Sequence, residues 1–169
     1  MLILGIDPGS LHTGYGAVRK DGPSLVVVEA GTISPPARAS SPERLLHLSR
    51  GIVEVAERLR PETAVLETPF YGLNVRSLIV LAQARGALVA ALAGCGIEIR
   101  EFTPAEVKSA VTGNGRAGKG DVARMVRLLL SFQEDCSEDA TDALAVAVCC
   151  AQRLRMDRIS ALHGRAKQP

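Results

Sequence analysis

Five short apolar runs, each bounded by turn residues, predict β-strands. They cover residues 2–6, 14–19, 25–33, 63–66 and 97–102. Asp7-Pro8-Gly9 ends the first run, because Pro cannot donate to a β-ladder and Gly permits a sharp turn. Asp21-Gly22-Pro23 separates the second run from the third, so these two strands are predicted to form an antiparallel hairpin.

Longer segments with helical periodicity follow the hairpin and separate the later strands. The predicted helices cover residues 42–60, 74–93, 104–111, 119–130 and 138–154. Ser41-Pro42-Glu43 supplies an N-cap followed by Pro, and Thr103-Pro104-Ala105-Glu106 is a capping box. The second helix is rich in Ala and Gly, which lets another backbone approach closely. These elements predict one α/β domain over residues 1–156, followed by a basic, flexible tail over residues 157–169.

Four acidic residues occupy the ends of predicted elements. Asp7 and Glu67 each follow an apolar strand, and Asp139 and Asp142 lie three apart at the start of a helix, on one face. The rest of that helix is almost wholly apolar and must pack against the sheet. The four carboxylates would then converge, and their mutual repulsion would require a divalent cation. Taken singly, each acid has an ordinary explanation as a turn residue, a surface acid or a helix-start residue.

Oxygen ligands favour hard ions, so the expected cofactor is Mg²⁺, with Mn²⁺ as a substitute. Mg²⁺ commonly completes its shell with phosphate oxygens, which predicts a phosphodiester substrate. Two ions about 3.5–4 Å apart would activate a water for in-line attack and stabilise the departing 3′ oxygen. The expected product therefore carries a 5′ phosphate.

Charge is consistent with a polyanionic substrate. Removing the four carboxylates from the net charge of +2 leaves +6 on the rest of the 169-residue chain. A solvated surface with a basic tail explains the same distribution equally well. The basic residues cluster in two stretches, which are Arg100, Lys108, Arg116, Lys119, Arg124 and Arg127, and then Arg153, Arg155, Arg158, Arg165 and Lys167.

Other features argue for a cytoplasmic protein. The four cysteines show no C-x-x-C spacing and the three histidines are remote from them, which predicts free, buried thiols and no zinc site. The apolar start is too short for a signal sequence. Gln83 and Arg85 interrupt the apolar stretch 78–97, which argues against a membrane span.

Several motifs are distributed along the chain from Gly5 to about Cys150. They are Gly-Ile-Asp-Pro-Gly-Ser with Thr13-Gly14-Tyr15-Gly16, Glu67 with Phe70 and Asn74, Ala82 to Gly86, Pro104 to Lys108, Val111 to Gly113, Gly115 to Ala117 with Lys119, and Asp139 to Ala145. Taken together, these motifs resemble those of one known family, the RuvC Holliday junction resolvases. The resemblance implies an RNase H-like mixed sheet, in which the first three strands are antiparallel and the others parallel, flanked by helices. It also implies a homodimer that makes paired nicks across a four-way DNA junction, and a branch-migration helicase as a partner.

The resemblance also assigns roles to residues. The four acids match the family's catalytic acids, and Lys108 and Lys119 match basic residues near the scissile phosphate. Phe70 matches an aromatic that stacks on bases, although a core aromatic is the ordinary alternative. Loop 112–118 is expected to contact the substrate. The remaining expected DNA contacts are Tyr71, Asn74, Arg76 and Arg116.

Two positions depart from the family pattern, and two rival functions remain open. Gly120-Asp121-Val122 stands where the family usually has Gln-Val, and Cys150 replaces a frequent His. An actin-like ATPase is the first rival, because Asp7 to Gly14 also resembles the phosphate-binding turn of that superfamily, but the chain has room for only one domain. The second rival is a protein that binds junctions without cutting them.

Overall fold

The computed structural model describes residues 1–68, 74–132 and 136–165. Every predicted strand and helix is present, and all bounds except the end of the last helix lie within a few residues of those expected. The strands are β1 Leu2–Asp7, β2 Thr13–Asp21, β3 Ser24–Ile33, β4 Thr63–Glu67 and β5 Glu98–Phe102. The helices are α1 Ser41–Leu59, α2 Val75–Gly94, α3 Pro104–Thr112, α4 Lys119–Leu129 and α5 Glu138–Arg165.

The five strands form one mixed sheet in the order β3-β2-β1-β4-β5. The β1–β2 and β2–β3 pairs are antiparallel, as the predicted hairpin requires. The β1–β4 and β4–β5 pairs are parallel, because a helix separates each new strand from the one before it. The predicted arrangement of an antiparallel half followed by a parallel half is therefore confirmed.

Helices cover both faces of the sheet, and strand alternation decides which residues face which layer. Leu4 and Ile6 of β1 pack with residues of α1 and α2. Ile3 of β1 and Val65 of β4 pack with residues of α3, α4 and α5 on the other face. Because side chains alternate along a strand, Asp7 shares the face of Ile3 and Glu67 shares the face of Val65.

Glycines allow α5 to lie directly on this face. A Cβ atom at Gly5 would overlap the carbonyl oxygen of Ala143, and a Cβ atom at Gly14 would overlap that of Asp139. The backbone of α5 therefore lies against the backbones of β1 and β2. The apolar residues 143–151 of α5 are buried. The close packing predicted for this apolar helix is confirmed.

Two predicted helix boundaries were wrong. The N-cap of α1 is Ser40 rather than Ser41, because the backbone N–H and the hydroxyl of Ser40 both donate to Glu43, which is three residues further on. Helix α5 was expected to end near Leu154 and continues to Arg165, since no Gly or Pro interrupts the segment before Gly164. The flexibility of the basic tail stays a prediction.

The four cysteines were predicted to be free, buried thiols. All four thiols are free, and Cys149 and Cys150 are buried while Cys95 is exposed, so burial was predicted correctly only in part.

By length and composition alone, α2 is apolar enough to span a membrane. That criterion carries little weight for one helix, because helices of soluble proteins also meet it.

Candidate active site

The first two acids lie at the ends of neighbouring parallel strands. Ile6 pairs with Leu66 in the register of β1 and β4, which places Asp7 and Glu67 next to each other. Both side chains point to the face that α5 covers, as strand alternation requires. The expectation that these two acids share one edge of the sheet is therefore met by the geometry.

Helix α5 supplies the other two acids from its first turns. The hydroxyl of Ser137 accepts a hydrogen bond from the backbone N–H of Ala140 at 3.1 Å and so caps the helix start. Gly14, which pairs with Asp7 in the sheet, lies against the backbone of Asp139. Asp139 and Asp142 are thus held over the strand that carries Asp7.

The pKa values show how strongly these carboxylates interact. Burial, together with the charges of Asp142, Asp139 and Glu67, raises the pKa of Asp7 from 3.8 to about 7. Burial and the charge of Asp142 also raise the pKa of Glu67. Since burial and neighbouring carboxylates make Asp7 and Glu67 harder to ionise, the site favours the binding of a cation.

Two lysines partly offset this negative charge. Lys119 Nζ donates to Asp142 Oδ2 at 3.2 Å and to Glu138 Oε1 at 2.7 Å. The charges of Lys108 and Lys119 partly oppose the rise in the pKa of Glu67, so both predicted basic residues lie within electrostatic range of that acid. Glu138 was missed by the sequence argument, although its position four residues before Asp142 puts both on the same helix face.

The four acids form a coupled set but not a closed metal cluster. Within residues 1–68, 74–132 and 136–154, no three Asp, Glu, His or Cys side chains already have an arrangement that would hold a metal ion. Electrostatic coupling acts over longer distances than coordination, so the two findings agree. The donor chemistry fits a hard divalent cation, because every candidate ligand atom is a carboxylate oxygen. Lys119 contacts Asp142 Oδ2, and a carboxylate has a second oxygen through which it can bind a cation.

The raised pKa of Asp7 predicts a pH-dependent stability of the metal-free protein. A carboxyl group whose folded-state pKa exceeds its unfolded value stabilises the fold at low pH, and this contribution is lost as pH rises from 3.8 to about 7. In EDTA, Asp7→Asn should therefore be more stable than the unchanged protein at pH 8, by about 2 kcal/mol. The difference should disappear near pH 4, as thermal melting at both pH values will measure.

The exposed acid Asp21 at the far end of β2 provides the control for this measurement. Asp21→Asn should leave the pH dependence of stability unchanged, because no carboxylate cluster surrounds that residue. Mg²⁺ at pH 8 should stabilise the unchanged protein and have little effect on Asp7→Asn. Equal pH dependence in Asp7→Asn and the unchanged protein would show that Asp7 does not carry the effect.

The structure describes some of the residues that were predicted to contact DNA. Phe70 and Tyr71 lie outside the described residues. Asn74 caps α2, because its Oδ1 accepts the backbone N–H of Ser77 at 2.9 Å, so this side chain has a structural role. Arg76 is exposed and lines a cleft of about 270 Å³ together with Ser10. Arg116 is exposed in the loop between α3 and α4.

Comparison with solved structures supports the fold assignment. Thermus thermophilus RuvC in complex with a Holliday junction substrate is 31% identical and superposes with a TM-score of 0.86 over 93% of this chain and 96% of that one. The yeast mitochondrial Holliday junction resolvase Ydc2 is only 11% identical, with a TM-score of 0.65 over 89% of this chain and 77% of its own, and supports the fold alone. The predicted RNase H-like fold class is confirmed.

Comparison of sequences identifies the family. A crossover junction endodeoxyribonuclease from Geotalea uraniireducens is 46% identical over 151 residues, which are 89% of this chain and 88% of that one. The family model for crossover junction endodeoxyribonuclease RuvC matches residues 3–150, a range that includes all four acids and both lysines. By its fold, its sequence and this match, the chain belongs to the RuvC family of crossover junction endodeoxyribonucleases.

Proposed function

We propose that this chain resolves four-way DNA junctions by hydrolysing one phosphodiester bond in each of two symmetric strands. The observation that carries this proposal is the convergence of four acids from three separate elements on one edge of the sheet. Family membership supplies the substrate class, and the acids supply the chemistry. The proposed metal ligands are Asp7, Glu67, Asp139 and Asp142.

The side chains around the acids have distinct proposed roles. When bound, two Mg²⁺ ions would supply the Lewis acidity that activates a water and stabilises the 3′ leaving group. The carboxylates orient that centre, and β1, β4 and α5 hold them on a rigid support. Lys119 is already beside Asp142, and once released it can donate to a phosphate oxygen of the substrate. Lys108 acts electrostatically on Glu67 and can screen the negative charge that develops when water attacks the phosphate.

Contacts outside the acids would position the junction. Arg76 and Arg116 are exposed cations that can bind backbone phosphates. Phe70 and Tyr71 are proposed to stack on bases where the junction opens, each contributing roughly 1–3 kcal/mol. We also propose that the protein acts in the cytoplasm and that its partner is a branch-migration helicase. The reason is that the substrate arises during recombination and repair of the chromosome.

The test is cleavage of a synthetic four-way junction whose strands are labelled one at a time. With Mg²⁺, paired nicks at symmetric positions and 5′-phosphate ends are expected. Complex formation with intact strands would favour a protein that only binds junctions. ATP turnover that needs Asp7 but no DNA would favour the ATPase alternative. Mapping at nucleotide resolution will also define the preferred cleavage sequence.

We also propose a homodimer formed through α2, because a C₂ pair of sites matches the symmetry of the junction. Much of the surface of this helix is apolar and uncovered. Val75 is 74% exposed, Ile79 53% and Val80 38%. Large apolar side chains grouped on one helix indicate an interaction surface.

Ile79→Glu should weaken this dimer. A charge placed in an apolar interface loses hydration without gaining a partner, so the dissociation constant should rise about 100-fold. Analytical ultracentrifugation across micromolar concentrations will measure it. Leu128→Glu is the control, because Leu128 is 70% exposed on α4, on the opposite face of the sheet. A monomer in the unchanged protein would contradict the proposal of paired nicks.

A further inference from the structure

Arg85 places a charged side chain inside the layer between α2 and the sheet. Its side chain is only 16% exposed, and it reaches the ends of β4 and β5. Its Nε donates to the backbone carbonyl oxygen of Glu67 at 3.4 Å. Its Nη2 lies 2.6 Å from Glu101 Oε1, forming an ion pair between the helix and β5. One guanidinium therefore contacts both strand ends at the acidic edge of the sheet.

Stability does not explain an arginine at this position. The Nη2 atom is buried and has no hydrogen bond of good geometry, so its contact with Glu101 is electrostatic only. The flanking residues Ala84 and Leu88 are fully buried and apolar. The partner Glu101 is 45% exposed, and an ion pair with an exposed partner commonly contributes only about 0–1 kcal/mol to stability. A charge kept in such a place points to a role other than stability.

The contacts of Arg85 lie where the β-ladder ends. Glu67 pairs with Phe102, and Thr68 N donates to the Phe102 carbonyl oxygen at 2.8 Å, the furthest such bond along β4 among the described residues. Strand β4 ends at Glu67. Arg85 contacts the Glu67 main chain rather than its carboxylate, so it can fix the direction of the Glu67 side chain without neutralising it.

We propose that Arg85 is a positioning residue that fixes the Glu67 end of β4 and thereby sets the geometry in which Glu67 binds the metal ion. This inference rests on the proposed metal site. Arg85 touches neither the substrate nor the reacting atoms. It acts through the Glu67 backbone, with Glu101 holding the guanidinium in place.

The test compares Arg85→Met with the unchanged protein in two measurements. Methionine keeps the length and apolar contacts of the side chain but removes both polar contacts. Mn²⁺ affinity of the DNA-free protein should fall about 10-fold, and kcat for junction cleavage should fall by a similar factor, as for other groups that orient metal ligands. KM for the junction and the melting temperature should change little. Arg85→Lys should give an intermediate loss, because it keeps the charge but cannot reach both partners.

Arg100→Met is the matched control, since Arg100 forms an ion pair with Glu98 at 2.9 Å on the same strand as Glu101. It should leave Mn²⁺ affinity unchanged. If Arg85→Met does not fold, Glu101→Gln should show a weaker loss of Mn²⁺ affinity. Unchanged Mn²⁺ affinity in the folded variants would overturn the role of Arg85. Equal Mn²⁺ binding by Asp7→Asn and the unchanged protein would instead overturn the metal site itself.

Discussion

Asp7→Asn is expected to abolish junction cleavage while leaving junction binding intact. Asp7 is the central acid of the site, because the charges of Asp142, Asp139 and Glu67 all act on it. An amide keeps the size of the side chain but is a poor ligand for Mg²⁺. The cleavage rate should fall by about 1,000-fold or more, since the reaction depends on metal-assisted activation of water. Single-turnover cleavage at saturating protein will measure this rate.

Binding must be measured on the same preparation. The affinity of Asp7→Asn for the junction should be unchanged or slightly higher, because a negative charge near the phosphates is removed and the basic residues remain. Asp21→Asn should cut at the normal rate, because Asp21 lies at the opposite end of β2. If binding falls together with cleavage, the variant has lost its fold and says nothing about catalysis. A fully active Asp7→Asn protein would remove Asp7 from the proposed metal site.

Gly14→Ala is expected to impair both stability and cleavage. The new Cβ atom would overlap the carbonyl of Asp139, which is a backbone atom and cannot rotate away. The first turn of α5 must therefore move from the sheet, and Asp139 and Asp142 move with it. Overpacking of this kind costs typically about 1–3 kcal/mol. A displacement near 1 Å at an active site reduces the rate by about 100-fold.

Gly94→Ala provides the matched control for this substitution. Gly94 is the last residue of α2, and a Cβ atom there meets no other atom. That variant should be as stable as the unchanged protein or slightly more so, because Ala favours a helix over Gly. Chemical denaturation and the cleavage rate should be measured for both variants. Normal cleavage by Gly14→Ala would show that the close packing of α5 does not position the acids.

Local patterns predicted the elements and their order. Apolar runs ending in Asp7 and Glu67 are strands with carboxylates at their ends, because alternation and turn chemistry act over a few residues. The capping box at Thr103 was predicted from its four residues and is present in the structure. The position of the α1 cap differed by one residue because neighbouring serines compete for it, and only the contact with Glu43 decides between them.

Local sequence patterns did not predict the contacts between residues that are distant along the chain. The sequence around Glu138 does not indicate that Glu138 and Asp142 both bind Lys119. Lys119 lies on α4, 19 residues before Glu138 and 23 residues before Asp142 on α5. In the sequence, Arg85 interrupts an apolar segment and belongs to the motif Ala82 to Gly86, and neither feature indicates what its side chain contacts. Its contacts with Glu67 and Glu101 exist because α2 packs across the ends of β4 and β5.

The sequence by itself predicted the strands and helices, the four candidate acids and the family. Only the tertiary structure decided how these acids interact. Parallel pairing places Asp7 beside Glu67, and two glycines let α5 approach closely enough to bring Asp139 and Asp142 to them. Burial and charge then act between groups that are distant along the chain, and the pKa of Asp7 rises as a result. Local propensity cannot encode that interaction, because its strength depends on distances that packing alone establishes.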